Sequence, residues 1–256
     1  MKTLTVALMM ALTAPVVAQQ TPEKDDDRGW DGTGEVGYVS SSGNSRSDSA
    51  NAKLGFTFED DDWKHEFSAS GFRQRGEVVE LTDPDDPDSG ERVLKVSANR
   101  YELGGSTARK LDERNRLYTS LRYENDDFAP YDYQATVSVG WGHQLIDTDT
   151  TELYFEAGPG YKRTKDAVSE ESNGSFIGRG KMEFETKITA NTSLVDTLLV
   201  ESGNDNTFAQ NDLAVKVAMN ERFAIKAGLQ HRHNTDVPAT RKKTDRLTTV
   251  NLVYDF

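Results

Sequence analysis

Residues 244–256, TDRLTTVNLVYDF, decide how this chain is read. Thr248, Val250, Leu252, Tyr254 and Phe256 fall on one side at a period of two, and Asp245, Leu247, Thr249, Asn251, Val253 and Asp255 on the other. That is a β-strand with one apolar and one mostly polar face. It runs into an aromatic last residue, as expected where a final strand must pair with the first to close a membrane barrel. A half-buried strand of a soluble sheet alternates in the same way, so the weight falls on how often the pattern recurs.

It recurs about twelve times. Gly34, Val36, Tyr38 and Ser40 oppose Glu35, Gly37 and Val39; after a turn at Ser42-Gly43-Asn44, Ala50, Ala52, Leu54, Phe56 and Phe58 oppose Asn51, Lys53 and Gly55. Later segments repeat the theme: Leu117, Leu121 and Tyr123 against Arg116 and Arg122, or Phe176, Met182 and Phe184 against Arg179, Lys181 and Glu183. Residues 186–200 are the least clearly patterned. No stretch of helical period intervenes, so an antiparallel up-and-down meander is the natural topology. Connections alternate in length. Tight turns are expected at 59–62, 147–150, 189–190 and 220–222, and longer loops at 76–90, 165–174 and 234–243. A short turn at 42–44 and a longer one near 104–113 are exceptions. Short turns on one side and long loops on the other are the outer-membrane arrangement.

The chain has 256 residues, no cysteine and a formal net charge of -13. Cysteine-based metal or disulfide chemistry is thereby excluded, and the acidity argues against nucleic acid as a partner. Lys2, the apolar run 4–17 and the small residues 16–18 read as an export signal over 1–18. A loose acidic leader is expected over 19–29 and one barrel domain over 30–256. No later stretch is long and apolar enough for a transmembrane helix.

A soluble sandwich or propeller shows the same alternation with the two environments exchanged. Three features favour the membrane barrel: most strands exceed nine residues, Trp63, Trp141, Phe223 and Tyr254 lie near strand ends as an interfacial girdle does, and Phe256 fits closure. The opposite face offers Lys64, Glu66, Lys95, Arg116, Arg122, Glu152, Glu156, Arg179, Lys181, Glu183, Lys226 and Arg232 as candidate lumen residues. Such a set can line water or lock across the lumen as ion pairs. At Gly158-Pro159-Gly160 the proline lacks an amide hydrogen, so a bulge or kink is expected.

These residues also carry a resemblance. Gly34-Glu-Val-Gly-Tyr, Ser42-Gly-Asn, Phe155-Glu-Ala-Gly-Pro-Gly-Tyr, Asn220-Glu-Arg-Phe-Ala-Ile-Lys and Lys243-Thr-Asp-Arg-Leu-Thr-Thr-Val-Asn-Leu-Val-Tyr resemble the proteobacterial family of salt-induced outer membrane proteins, a domain of unknown function. The resemblance covers nearly all of the expected mature chain. It implies an outer-membrane β-barrel and brings no activity, cofactor or catalytic residue with it. The acidic insert 83–88 has no counterpart in that pattern.

Specific chemistry is sparse. Asp83, Asp85, Asp86 and Asp88 hint at calcium but lack the spacing of an EF-hand loop, so a solvated loop and no metal are expected. His231 and His233 share a strand face, where a serine partner would suggest a lipid hydrolase, but there is no nucleophile elbow. No catalytic residue and no cofactor are expected. Outer-membrane lipid, lipopolysaccharide and the barrel assembly machinery are the expected partners, with small ions or solutes if the lumen is open. The leading expectation is a small passive pore or permeability-related envelope protein. A non-conducting surface or structural barrel is the alternative, and a barrel-embedded lipid hydrolase is third.

Overall fold

The computed structural model describes residues 29–256 except 43–45, 82–88, 128, 130, 168–169, 205 and 238–241. The expected export signal, the expected leader up to residue 28 and the acidic insert 83–88 lie outside the described residues; Gly29, the leader's last residue, opens the first strand.

Twelve antiparallel strands close into one up-and-down barrel, each paired with its sequence neighbours and β12 with β1. They are β1 (Gly29–Ser41), β2 (Ser47–Glu59), β3 (Trp63–Leu81), β4 (Gly90–Lys110), β5 (Asn115–Asp126), β6 (Tyr131–Asp147), β7 (Thr151–Asp166), β8 (Ser172–Thr189), β9 (Thr192–Gly203), β10 (Thr207–Ala218), β11 (Phe223–Asn234) and β12 (Thr244–Asp255). At 12 residues or more, each is long enough to cross a hydrocarbon core at a tilt. The connections on the side of the chain termini hold two to four residues and those on the other side three to nine. This asymmetry puts the termini on the periplasmic side.

Several boundaries differ from the sequence reading. The turn expected near 104–113 is a four-residue turn at 111–114, because Gly104 and Gly105 lie inside β4, paired with Ser68 and Phe67. That removes the exception among the tight turns. The loop expected over 76–90 begins later than that, since Gly76–Leu81 continue β3 against β4. β2 ends its pairing with β3 at Gly76 and β5 ends its pairing with β4 at Arg100. Residues 77–81 of β3 and 90–99 of β4 therefore project beyond the barrel rim. A bulge between Gln74 and Arg75 leaves Ser97 unmatched and turns Ala98 inward, opposite to its expected side. Residues 186–200 divide at a two-residue turn into β8 and β9.

At Gly158-Pro159-Gly160 the β6–β7 register is unchanged from Ser138–Gly160 to Trp141–Ala157, but the pairs between are missing. The expected bulge is thus a gap in the ladder, where proline has no amide to donate. The strands press together there: a Cβ on Gly158 would lie 2.1 Å from Val139 O, and one on Gly140 2.2 Å from Ala157 O. Register shifts occur instead at Tyr131/Tyr133 and Gln144/Ile146.

The burial is inverted relative to a soluble sheet. Leu121 is 59% and Val250 57% exposed, whereas Glu35, Glu124, Glu156, Glu201 and Arg232 are buried. Water cannot be the solvent of such an outer wall; a bilayer can. Two aromatic belts bound it. Near the termini, Trp141 stacks on His143 (5.1 Å), and Trp30 meets Phe58 (5.1 Å) and Phe223 meets Tyr254 (5.0 Å) at a tilt. On the opposite rim, Tyr123 stacks on Tyr133 and meets Tyr101 at a tilt, and Tyr161 meets Phe176 edge-on. The eight residues from Tyr133 to Trp141 span roughly 20 Å of membrane normal at a 40–45° tilt, close to the apolar band of such barrels.

Candidate functional site

The inward side chains reach one another across the barrel. Arg232 of β11 donates from Nη2 to both carboxylate oxygens of Glu124 on β5, at 2.6 Å each. These strands are six places apart in a ring of twelve, so the pair spans opposite walls. A round twelve-stranded wall at 40° tilt would have a backbone diameter of about 24 Å. An extended Arg–Glu pair bridges roughly 15 Å with its hydrogen bond. The cross-section is accordingly flattened at this level.

Around that pair lies a charged clamp. Arg122 contacts Glu124, donates to Glu102 at 2.9 Å and lies 3.9 Å from Glu201 of β9. Lys162 of β7 also pairs with Glu201. Tyr131 donates its hydroxyl hydrogen to Glu124 at 2.9 Å and accepts one from Gln134 Nε2 at 2.9 Å. The buried ring of Phe208 sits among three cations, 5.1 Å from Arg122 and from Arg232 and 5.5 Å from Lys162. A quadrupole facing cations in a dry layer is attractive. Glu124 and Glu201 have no exposed side-chain surface, so only the surrounding cations offset the loss of their hydration.

The lumen is not filled on either side of the clamp. Toward the periplasm lies a cavity of about 480 Å³. Its charged lining counts five carboxylates, Glu35, Glu66, Glu102, Glu183 and Asp212, against six cations, Lys53, Arg100, Arg122, Arg179, Lys181 and Lys226. The net acidity of the chain is therefore not carried by this cavity. Toward the outside lies a second space of about 430 Å³ lined by Tyr131, Thr164, Asp166, Asn173, Asn206, Asn234, Asp236 and Val237.

Of the residues singled out in the sequence, Arg122 and Arg232 form the clamp. Lys226 pairs with Glu35 (2.8 Å), Lys64 with Glu66 (2.8 Å) and Lys181 with Glu183 (2.6 Å). Arg179 pairs with Glu156 and lies over Tyr118. Arg116 lies over Tyr154, 3.7 Å from Glu59. Glu152 is exposed at the periplasmic mouth. Lys95 is elsewhere: it is on the projecting β3–β4 arm, paired with Glu80 at 3.0 Å. Phe256 caps the β1–β12 junction through backbone bonds with Gly32. The reading of the sequence passed over Glu124, Glu201 and Phe208. Glu124 and Arg122 share one face by parity, which was visible; Glu201 reads as the start of a turn over 201–206 but lies inside β9, which runs on to Gly203, and Phe208 looks like a wall residue until its cations are seen.

His231 and His233 flank inward Arg232 and so face outward, with His233 bonded to Thr244 at 2.8 Å. Among the described residues no three His, Asp or Glu gather to hold a metal. The calcium candidates at 83–88 lie outside the described residues.

A closed strand barrel with an apolar, aromatic-belted exterior and a charged interior is a transmembrane β-barrel of the outer-membrane class. Residues 34–256 match the family described as "Protein of unknown function, DUF481", and the chain belongs to that family. It is 25% identical over 230 residues to "Uncharacterized protein YdiY" of Escherichia coli (strain K12), covering 89% of this chain and 83% of that one. Among solved structures, it is similar to the NanC porin (TM-score 0.49, 10% identity, 87% of this chain and 97% of that chain). It is also similar to the translocator domain of autotransporter NalP from Neisseria meningitidis (TM-score 0.48, 11% identity, 91% and 90%).

Proposed function

We propose that this protein is a low-conductance pore for small polar solutes, closed at rest by the Glu124–Arg232 clamp. The observation that carries this reading is the layout of the lumen. One charged layer separates two open spaces of about 480 and 430 Å³. A purely structural barrel has no need for vestibules on both sides of one cross-link. The near balance of charge in the inner cavity fits small hydrated solutes of either sign rather than strong cation selection. Lipopolysaccharide around the outer rim, the barrel assembly machinery during insertion and small ions or solutes as cargo are the partners of this reading. The test is planar-bilayer conductance of the purified mature chain beside Glu124→Gln. Rare, small openings that become frequent in the variant support the pore; silence from both, with folded protein, removes it.

A second reading has its own observation. The β3–β4 arm beyond the rim exposes Val79 and Leu81, and a non-conducting barrel would present that arm to a surface partner. Silence in the bilayer together with loss of cell-surface adhesion on removing residues 77–94 is its signature.

A further inference from the structure

The wall is not evenly closed. Every other neighbouring pair of strands shares at least eleven residue pairs. β1 and β12 share four: Thr33, Gly34, Glu35 and Val36 with Asp255, Tyr254, Val253 and Leu252. Above them, residues 37–41 of β1 still pair with β2 and residues 244–251 of β12 still pair with β11, but not with each other. Unpaired backbone at membrane depth is tolerated where it borders a water-filled cavity and is strongly disfavoured against hydrocarbon.

On its β12 side the unpaired stretch borders a cavity. Leu247, Thr249 and Asn251 of β12 line the inner space. Arg232 stands in register with Asp245, so the clamp roofs this space at the level where the gap begins, and the gap runs down its side. Asn51 Nδ2 donates to Asn251 Oδ1 at 3.0 Å at the foot of the gap. Gly37 lies over that bond, and a Cβ there would stand 2.2 Å from Asn251 Oδ1. On the outside the gap is flanked by Tyr38 and Val250, 69% and 57% exposed. The cavity itself is two-natured. Apolar side chains enter its lining from three places: Phe72 on β3, Leu199 on the opposite β9, and Leu247 on β12 beside the seam. Lys53 is exposed within it, and Arg100 donates to the neutral Gln230 at 2.7 Å.

We propose that the β1–β12 seam is a lateral portal that admits a single-chain anionic amphiphile from the outer leaflet into the inner cavity. The tail enters past Leu247 and lies between the facing Phe72 and Leu199, and the headgroup meets Lys53 and Arg100 on the strands either side of β3. Axial entry from outside is barred by the clamp while the side route is not, so this inference stands whether or not the clamp opens.

The chain contains no cysteine, so Tyr38→Cys with Val250→Cys creates a single disulfide that closes the seam in the register continuing from Val36–Leu252. The probe is a diazirine-bearing palmitic acid in liposomes, with labelled peptides mapped by mass spectrometry and folding checked by heat-modifiable mobility. The unlocked barrel should be labelled at peptides carrying Phe72 and Leu199. Oxidising the pair should cut that labelling about tenfold, a loss of roughly that factor in apparent affinity, and reduction should restore it. A control disulfide from Val215→Cys with Ala227→Cys, on the complete β10–β11 ladder, should change nothing. Lys53→Gln with Arg100→Gln should weaken labelling by the acid but not by the matching fatty alcohol. Label confined to the outer wall, or undiminished in the locked barrel, overturns the proposal. Disulfide-linked dimers of the single Tyr38→Cys or Val250→Cys variants also overturn it, because a second copy then covers the seam.

Discussion

Gly32 and Phe256 hold the barrel shut at its periplasmic end: each backbone amide donates to the other's carbonyl at 2.8 Å, and the phenyl ring covers the glycine. A Cβ on Gly32 would lie 2.4 Å from that ring. Tyr254 stacks on Phe256 at 5.6 Å and Phe56 meets it edge-on at 5.8 Å. The last residue therefore completes both the ladder and the lower aromatic belt at the shortest pairing in the wall.

Phe256→Ala should lower the folded fraction by about 1 kcal/mol equivalent, the scale of a lost aromatic cluster contact. Gly32→Ala should do similar harm by displacing the ring. The double variant should be no worse than Phe256→Ala alone, since the added methyl then strikes nothing. Heat-modifiable electrophoresis of refolded protein measures all three; strict additivity counts against the contact.

Glu124→Gln should destabilise the barrel by about 3–5 kcal/mol in urea unfolding, because Arg122 and Arg232 lose the carboxylate between them. The same change should raise open probability in a bilayer. A stability loss without any change in conductance would leave the clamp as a structural brace.

Cation and anion permeabilities should be nearly equal. Five carboxylates face six cations in the inner cavity although the whole chain carries -13. A reversal potential near zero under a tenfold salt gradient is the expected reading for any openings. Strong cation selectivity would mean that charge outside this cavity governs passage.

Leu252→Arg should cost about 2–4 kcal/mol of folding stability or block insertion, as a cation on the lipid face does near mid-depth. Thr249→Arg, facing the cavity, should be tolerated. Asn251, also inward, is a poor comparator: it donates to Glu35 at 3.1 Å, so an aspartate there would repel that carboxylate. Equal insertion of the Leu252 and Thr249 variants would reverse the face assignment.

The periplasmic turns should loosen in acid. Asp60 accepts from the amides of Trp63 and Asp62, and these bonds hold its carboxyl below the ordinary 3.8. Asn115 and the Arg114 amide do the same for Asp112. A lowered carboxylate stabilises the fold above its ordinary value and ceases to do so as pH falls through its folded value. Amide exchange at Trp63 and Asn115 should therefore show protection that is full near neutrality and declines only below about pH 3.8, and Asp60→Asn should remove that pH dependence at Trp63.

Much of the wall was legible in the chain itself. Alternation at period two is local, and it assigned Leu252, Tyr254, Arg122 and Arg232 to their sides without any knowledge of neighbours. It failed where local signals compete. Val78, Val79 and Leu81 prolong β3 despite the prolines and aspartates that follow, and the bulge at Ser97 reverses parity for Ala98 through pairing with another strand.

What the sequence determined by itself was a series of about twelve crossings, their two faces and the side that carries the short turns, because strand periodicity and turn composition are properties of consecutive residues. Only the tertiary structure decided which face is buried, that Glu124 meets Arg232 across 108 residues of chain, and that β1 and β12 pair over four residues. Those facts depend on ring closure, which sets which strands lie opposite and how far the wall is flattened, and no local pattern of residues encodes a distance across a lumen.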